Sequence, residues 1–504
     1  MKLGQILEGV DHEKLPGDTE KEISGVAYDS RMVHSGYLFV ALRGQREDGH
    51  RYIQSALERG ATAVVAEDIQ TIPEDVARVR VVNSRRALSK IAVQFYGNPC
   101  KGLTVVGITG TNGKTTTSFL LESILRAMGK RPGVLGTIDY RFAGKAYPAP
   151  VTTPESLDTM RLVREMADAG ATHLIMEVSS HALDQGRTLD CPFKVAVFTN
   201  LSRDHLDYHQ SMEAYFQAKS RLFTTLPEAG GADGPTAVIN LDDPMGQALL
   251  AMTKAQALTY GFKKRCQLRA SSLQADRAGL RFRLQTPSGG CNIRSALLGD
   301  FNAYNIMAAA SAATALGVSL DAVVEGVEAL QRVPGRLEPV KNSAGLAVVV
   351  DYAHTPDALL KALQALRSHV AGRIITVFGC GGDRDRGKRF DMGLIAGRGS
   401  DLVFITSDNP RNEDPSFIVE EAERGVIEAG LEKMKWASHG QLKRGVYFTE
   451  VDRREAIRKA VHLARKEDLV LIAGKGHEDY QIIGCEKKHF SDQEEAAWAA
   501  ENRA

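Results

Sequence analysis

No apolar run in this 504-residue sequence approaches the ~18–20 residues that a bilayer-spanning helix needs. The opening stretch, residues 1–17, breaks into charge before a secretory signal core could form, so no leader is expected. Cysteine is scarce and scattered: Cys100, Cys191, Cys266, Cys291, Cys380 and Cys485 contain no C-x-x-C pair. That argues against a zinc site or disulfide framework and fits a reducing cytoplasm. A surplus of one charge is missing too. Lysine plus arginine (63) almost balances aspartate plus glutamate (62), which gives no general attraction to nucleic acid or an anionic membrane. Low-complexity tracts and internal repeats are also absent, which excludes disorder and solenoids. What is present is the composition of a globular protein, 43% hydrophobic and 25% charged. The length exceeds one ordinary core and points to about three domains.

Residues 1–98 mix short strands (Tyr37–Ala41, Ala63–Ala66, Val79–Val82) with helical stretches near Tyr52–Arg59 and Ala87–Tyr96. The turn-rich segment Gly97–Gly102 reads as a linker. An apolar strand, a glycine-rich turn and an amphipathic helix follow. Four later segments, beginning at Val348, Ile375, Asp401 and Asp468, repeat the passage from apolar strand into polar loop. The pattern predicts an α/β fold with mostly parallel, doubly wound sheets, whose chemistry gathers at the carboxyl ends of the strands. Pro334–Pro339 reads as a second joint. The predicted domains are therefore residues 1–98, 99–334 and 335–504.

The sharpest local signal is Gly107-Ile-Thr-Gly110-Thr111-Asn112-Gly113-Lys114-Thr115-Thr116. Glycines let backbone N–H groups approach phosphate oxygens, and the following helix adds its positive end. Lys114 is expected on the β/γ-phosphates of ATP, with a hydroxyl from Thr115 or Thr116 on Mg²⁺. The generic G-x-x-x-x-G-K-[ST] pattern is not strictly met, because position 108 is isoleucine. Glu177, with Ser179, Ser180 and His181 just beyond, ends a second apolar strand. Asn200, Asp204, His205, Asp207 and His209 follow a third. Carboxylates and imidazoles at neighbouring strand ends beside a phosphate loop suit Mg²⁺ and ATP.

Taken in order, G-T-N-G-K-T-T, E-V-S-S-H, N-L-S-R-D-H-L-D-Y-H, G-D-F-N-A-Y-N, G-R-L-E and D-Y-A-H resemble the motif set of the Mur ligases, from Asp29-Ser30-Arg31 to Gly474-Lys475-Gly476-His477-Glu478. The shorter G-T-x-G-K-T form belongs to that family. The resemblance implies a UDP-binding N-terminal α/β domain, a central P-loop ATPase domain and a Rossmann-like C-terminal domain that takes an amino acid. It also implies Lys114 and Thr115 on phosphate and Mg²⁺, Glu177 and His205 at a second metal position, and Lys219 as a carbamylated lysine. An ammonium repels Mg²⁺, whereas a carbamate offers two anionic oxygens. Asn302 resembles the adenine contact, and Arg336 and Asp351 the groups around ribose and phosphates. Ser30 and His50 match the uridine side, and Thr152, Thr153, Ser179, Gln185 and Arg187 the sugar and dipeptide. Val151 stands where the family often has asparagine.

Asp408-Asn409-Pro410-Arg411 resembles the family's meso-diaminopimelate-selecting tetrapeptide. Diaminopimelate carries one carboxylate more than lysine, and a guanidinium grips that group with two parallel hydrogen bonds. Arg384 is expected to hold a carboxylate, and Gly474 and Glu478 the amino-acid ammonium. The implied activity is an ATP-dependent, acyl-phosphate amide synthesis. It adds meso-diaminopimelate to the D-glutamate of UDP-N-acetylmuramoyl-L-Ala-D-Glu in peptidoglycan synthesis, in a monomeric cytoplasmic enzyme with small-molecule partners only. His205 or a water is the candidate base. Rival readings are a lysine-adding relative, a folate polyglutamate ligase, a P-loop switch ATPase that hydrolyses ATP without an amine, and a non-catalytic nucleotide-binding regulator.

Overall fold

The structure, a computed structural model, describes all residues except 14–18, 45–46, 70–71, 74–75, 229–230, 232, 277, 368–369, 437–443 and 504. The charged end of the opening stretch, from residue 14, lies outside the described residues. Apolar runs become buried strands, and these assemble into three large sheets.

In the first unit Gly25–Ala27, Tyr37–Val40, Ala61–Ala66 and Ala77–Val81 pair in parallel, in that spatial order. His12–Glu13 adds one antiparallel edge. The expected helix near Tyr52 is Ile53–Glu58, entered through a 3-10 turn at Gly49–Tyr52. The expected helix near Ala87 is Ser84–Phe95, because the Asn83 side chain accepts from the Arg86 N–H and starts the helix earlier.

The second sheet has a parallel centre. Thr104–Thr109 lies between His173–Glu177 and Phe193–Phe198, so three strands end side by side. Both edges depart from the mostly parallel expectation: Asp139–Phe142 and Lys145–Pro148 form a hairpin at one, and Leu268–Asp276, Gly279–Thr286 and Gly289–Ser295 a meander at the other. The cause is the change from continuous to alternating hydrophobicity. Leu280, Phe282 and Leu284 are buried while Arg281, Arg283 and Gln285 face outward, a pattern that suits one solvated face. The inner face packs on the helix Phe301–Ala315, whose alanines at 308–310, 312 and 313 allow close approach. The helix Lys114–Ala127 buries Leu120, Leu121, Ile124 and Leu125 in the same core, each worth about 1.5–3 kcal/mol.

In the third sheet Ala347–Asp351, Leu469–Ala473, Ile374–Cys380 and Leu402–Ser407 are parallel neighbours in that order. The four strand-to-loop segments of the sequence thus deliver their loops to one edge. The Pro334–Pro339 joint is held against this unit: a Cβ on Gly335 (φ 64°) would stand 2.2 Å from the His477 N–H nitrogen. Among the described residues no helix is long and apolar enough to cross a membrane.

Candidate functional site

The glycine turn leaves the end of Thr104–Thr109 and enters the helix at Lys114. Gly110 (φ 149°) has no room for a side chain, since a Cβ would stand 1.9 Å from Thr199 Oγ1. Gly113 (φ 89°) is bracketed by Asn305, whose Oδ1 would lie 2.3 Å from a Cβ. Lys114 Nζ folds back to donate to the Gly110 and Thr111 carbonyls, both at 2.9 Å. Burial lowers its pKa, outweighing the opposing pull of Glu177. Asn112 is fixed by the Asn200 side chain at 3.0 Å and donates to Asp357 of the third unit at 2.9 Å. Thr111 and Thr116 are buried beside it.

Glu177, fully buried, gathers the hydroxyls. Thr115 donates to its Oε2 at 3.0 Å and Thr137 to the same oxygen at 2.8 Å, while the Thr137 N–H and Ser118 reach Oε1 at 3.1 and 3.3 Å. Arg336 Nη2 arrives from the second joint and donates to Thr115 Oγ1 at 3.1 Å. Asp351 accepts from the Leu337 N–H at 2.6 Å, and burial raises its pKa to about 6. The Asn302 amide is engaged at both ends, donating to the Leu298 carbonyl and accepting from Asn305, each at 2.7 Å.

Lys219, on the helix Met212–Thr224, turns inward. Its Nζ donates to the Gly110 carbonyl at 2.9 Å and lies 4.6 Å from the Tyr215 ring centroid. Burial, with the Lys114 charge second, holds its pKa well below the ordinary lysine value. His205 adopts a left-handed backbone (φ 54°) and feels Lys219 and Lys114. Burial lowers its pKa to about 3 against the pull of Asp204, so the ring is neutral. Among the described residues no three His, Cys, Asp or Glu side chains form a metal cage. The oxygen donors present are the Thr115 and Glu177 pair and their neighbours.

Beside this lies a polar cluster. Thr153 Oγ1 donates to the Glu177 carbonyl at 2.8 Å and accepts from the Ser179 N–H at 3.0 Å. Arg187 donates to Gln185 Oε1 at 2.6 Å and to the Thr153 carbonyl at 2.9 Å. Thr152 meets Thr137 at 3.2 Å. Val151 offers only its carbonyl, which the Tyr140 hydroxyl occupies at 2.6 Å. The first unit docks on the same cluster: Arg85 pairs with Glu155 at 2.6 Å, Glu155 stands 3.5 Å from Arg187, and the Tyr28 hydroxyl donates to Asp158 at 2.5 Å. Ser30 and His50 follow the neighbouring strands Gly25–Ala27 and Tyr37–Val40. His50 is already committed, to Asp48 Oδ1 at 2.6 Å and to the Glu67 N–H at 3.1 Å.

At the carboxyl edge of the third sheet two guanidiniums converge. Arg411 (φ 53°) donates to the Gly382 carbonyl at 2.7 Å, and Arg384 is exposed nearby. Burial and then the Arg384 charge lower the Arg411 pKa. Pro410 packs on Gly382, where a Cβ would stand 1.9 Å from its carbonyl oxygen. Asn409 donates to Glu478 Oε2 at 2.9 Å, and Gly474 (φ 121°) lies close to Asp408. Burial, then Asp408, raises the Glu478 pKa.

Sequence reasoning passed over three residues. Thr137 holds Glu177 from a loop without a motif. Asp357 reaches Asn112 from the start of a helix, where its N-terminal position was the available signal. Lys475 is fully buried inside the motif that supplied Gly474 and Glu478.

Family models match along the chain: "Mur ligase family, catalytic domain" over residues 22–96, "Mur ligase middle domain" over 108–313 and "Mur ligase, glutamate ligase domain" over 335–476. A UDP-N-acetylmuramoyl-L-alanyl-D-glutamate--2,6-diaminopimelate ligase from Geobacter metallireducens is 50% identical over 502 residues, 99% of this chain and 98% of the relative. A solved structure of a protein with that name aligns with a TM-score of 0.68 and 34% identity, over 99% of this chain and 98% of the other. The MurF ligase of Thermotoga maritima in complex with ADP shares the fold, with a TM-score of 0.63 and 22% identity over 90% and 94% of the two chains.

Proposed function

The chain belongs to the Mur ligase family, and we propose that it is an ATP-dependent ligase joining meso-diaminopimelate to the D-glutamate of UDP-N-acetylmuramoyl-L-Ala-D-Glu. The observation that carries the choice of amino acid is the convergence of Arg411 and Arg384. Among the described residues neither guanidinium is in an ion pair, and each depends on backbone carbonyls. A second carboxylate is the partner they lack, and lysine has none to offer. Glu478, which accepts from the Asn409 amide, supplies the opposite polarity for the ammonium, with Asp408 and Gly474 beside it.

Gly110–Thr116 would hold the ATP phosphates, and Lys114, which now donates to its own loop carbonyls, would offer its charge to them. Asn302, Arg336 and Asp351 frame the nucleotide. Thr115 and Glu177 are hard oxygen donors that fit Mg²⁺, a cation that takes much of its shell from phosphate and water. His205 and a carbamylated Lys219 would hold a second metal ion. When bound, Mg²⁺ supplies charge neutralisation on the phosphates. The D-glutamate side-chain carboxylate attacks the γ-phosphorus, forming an acyl phosphate and releasing ADP. The neutral amine of diaminopimelate then attacks the acyl carbon, phosphate departs, and the proton that the amine loses passes to water. Positioning and electrostatics do this work. Ser30 and the Asp48–His50 turn form the uridine end, and Thr152, Thr153, Ser179, Gln185 and Arg187 hold the sugar and dipeptide. The domains run over residues 1–98, 99–334 and 335–504, and the enzyme acts as a cytoplasmic monomer.

The test is phosphate release from ATP and Mg²⁺ with the UDP-dipeptide, adding meso-diaminopimelate or L-lysine in parallel. Release dependent on diaminopimelate, with a tripeptide product by mass, is expected. A preference for lysine would discard the role of Arg411. Release indifferent to either amine would replace the ligase by a switch ATPase.

A further inference from the structure

Between the loops that carry Asn409 and Glu478 lies a charge with no surface of its own. Lys475 is 0% exposed. Its ammonium stands 2.8 Å from the Tyr480 carbonyl, 2.9 Å from Asn409 Oδ1, 3.1 Å from Asp408 Oδ1 and 3.7 Å from Glu478 Oε2. A buried ammonium is strongly unfavourable without such partners, so cation and oxygens hold one another in place. Having no exposed surface, Lys475 does not touch a ligand.

We infer that Lys475 is a positioning residue of the amino-acid site, keeping Glu478 ionised and turning the Asn409 amide toward it. The inference rests on the ligase reading above. Asn409 Oδ1 accepts from Lys475 and from the Ile482 N–H, each at 2.9 Å. Two donors on one oxygen leave the amide nitrogen only one way to face, toward Glu478 Oε2.

The charge argument is separate. Asp408 and Glu478 share a buried space, where like charges favour protonation of one of them. Burial and Asp408 push Glu478 upward in pKa, and Lys475 opposes both. The other groups facing Glu478 and Asp408 do not replace that cation. Tyr352 and Asn409 donate to Glu478 as neutral groups, at 3.3 and 2.9 Å, and Tyr480 is a neutral phenol. His354, which also faces Asp408, is kept neutral by burial. Arg453 lowers the Asp408 pKa but is bound to Asp492 at 2.7 Å in a fully buried pair. Arg411 also feels Asp408 and Glu478, but it is in no ion pair with either and donates to the Gly382 carbonyl. Without Lys475, one carboxyl takes a proton and the incoming ammonium meets an acid instead of a carboxylate.

The experiment is steady-state kinetics of Lys475→Met against wild type, with each of the three substrates varied. Near neutral pH the KM for meso-diaminopimelate should rise about 30-fold, while those for ATP and the UDP-dipeptide stay within about twofold. That deficit should shrink as pH rises, because Glu478 regains its charge. Lys475→Gln, which keeps a donor but loses the charge, should show the same pH-dependent deficit, and it carries the test if the methionine variant does not fold. An unchanged diaminopimelate KM, a uniform rise in all three KM values, or a deficit indifferent to pH would overturn the role of Lys475. Wild-type release that ignores diaminopimelate would instead overturn the ligase reading itself.

Discussion

Arg336 Nη2 donates to Thr115 Oγ1 across 3.1 Å, and the Thr115 hydroxyl in turn donates to Glu177 Oε2 at 3.0 Å. The joint between the second and third units therefore ends on the first turn of the phosphate-loop helix. The position of the third unit sets the orientation of the Thr115 hydroxyl beside Glu177.

Arg336→Ala should lower kcat/KM for ATP about 100-fold, the order expected for losing one preorganised donor beside a transferring group. Thr115→Ala should do the same. The double variant should be little worse than either, because both changes break one chain of hydrogen bonds. Phosphate release checks all three; strict additivity would separate the two residues.

Burial, and then the Lys114 charge, hold the Lys219 amine well below the ordinary lysine pKa, which favours the uncharged form that reacts with carbon dioxide. Isotope-labelled bicarbonate should give a carbamate signal in the wild-type protein and none in Lys219→Ala. That variant should be inactive and regain part of its rate with short-chain carboxylates.

Arg411→Ala should raise the diaminopimelate KM about 100-fold while leaving the poor use of lysine nearly unchanged. Arg411→Lys should recover little, since a point charge does not reproduce a planar fork. Parallel kinetics with both amino acids checks this.

Asp351 predicts a trade between stability and activity. Its folded pKa, about 6, lies above its ordinary value of 3.8, so the folded chain binds a proton there more readily than the unfolded chain. Stability should fall as pH rises through that window. Asp351→Asn should melt higher than wild type near neutral pH, lose that advantage below the window, and have a lower rate. Melting curves across pH check the first two and turnover the third.

The parts of this site that could be read in sequence were those where one residue type is forced. Gly110 and Gly113 admit no side chain, and the four apolar segments of the third unit could only be central strands. Thr137 was hidden, because a threonine in a loop means nothing until Glu177 is brought beside it. The edge hairpins were hidden by their alternating polarity, which marks a strand but not the direction of its neighbour. Lys475 looked like any other lysine, since burial is a property of packing and not of local sequence.

The docking of the first unit through Arg85, Glu155 and Tyr28 has a further consequence. It fixes the span between the turns that carry Ser30 and His50 and the buried carboxylate of Glu177, as the jaws of a caliper are fixed.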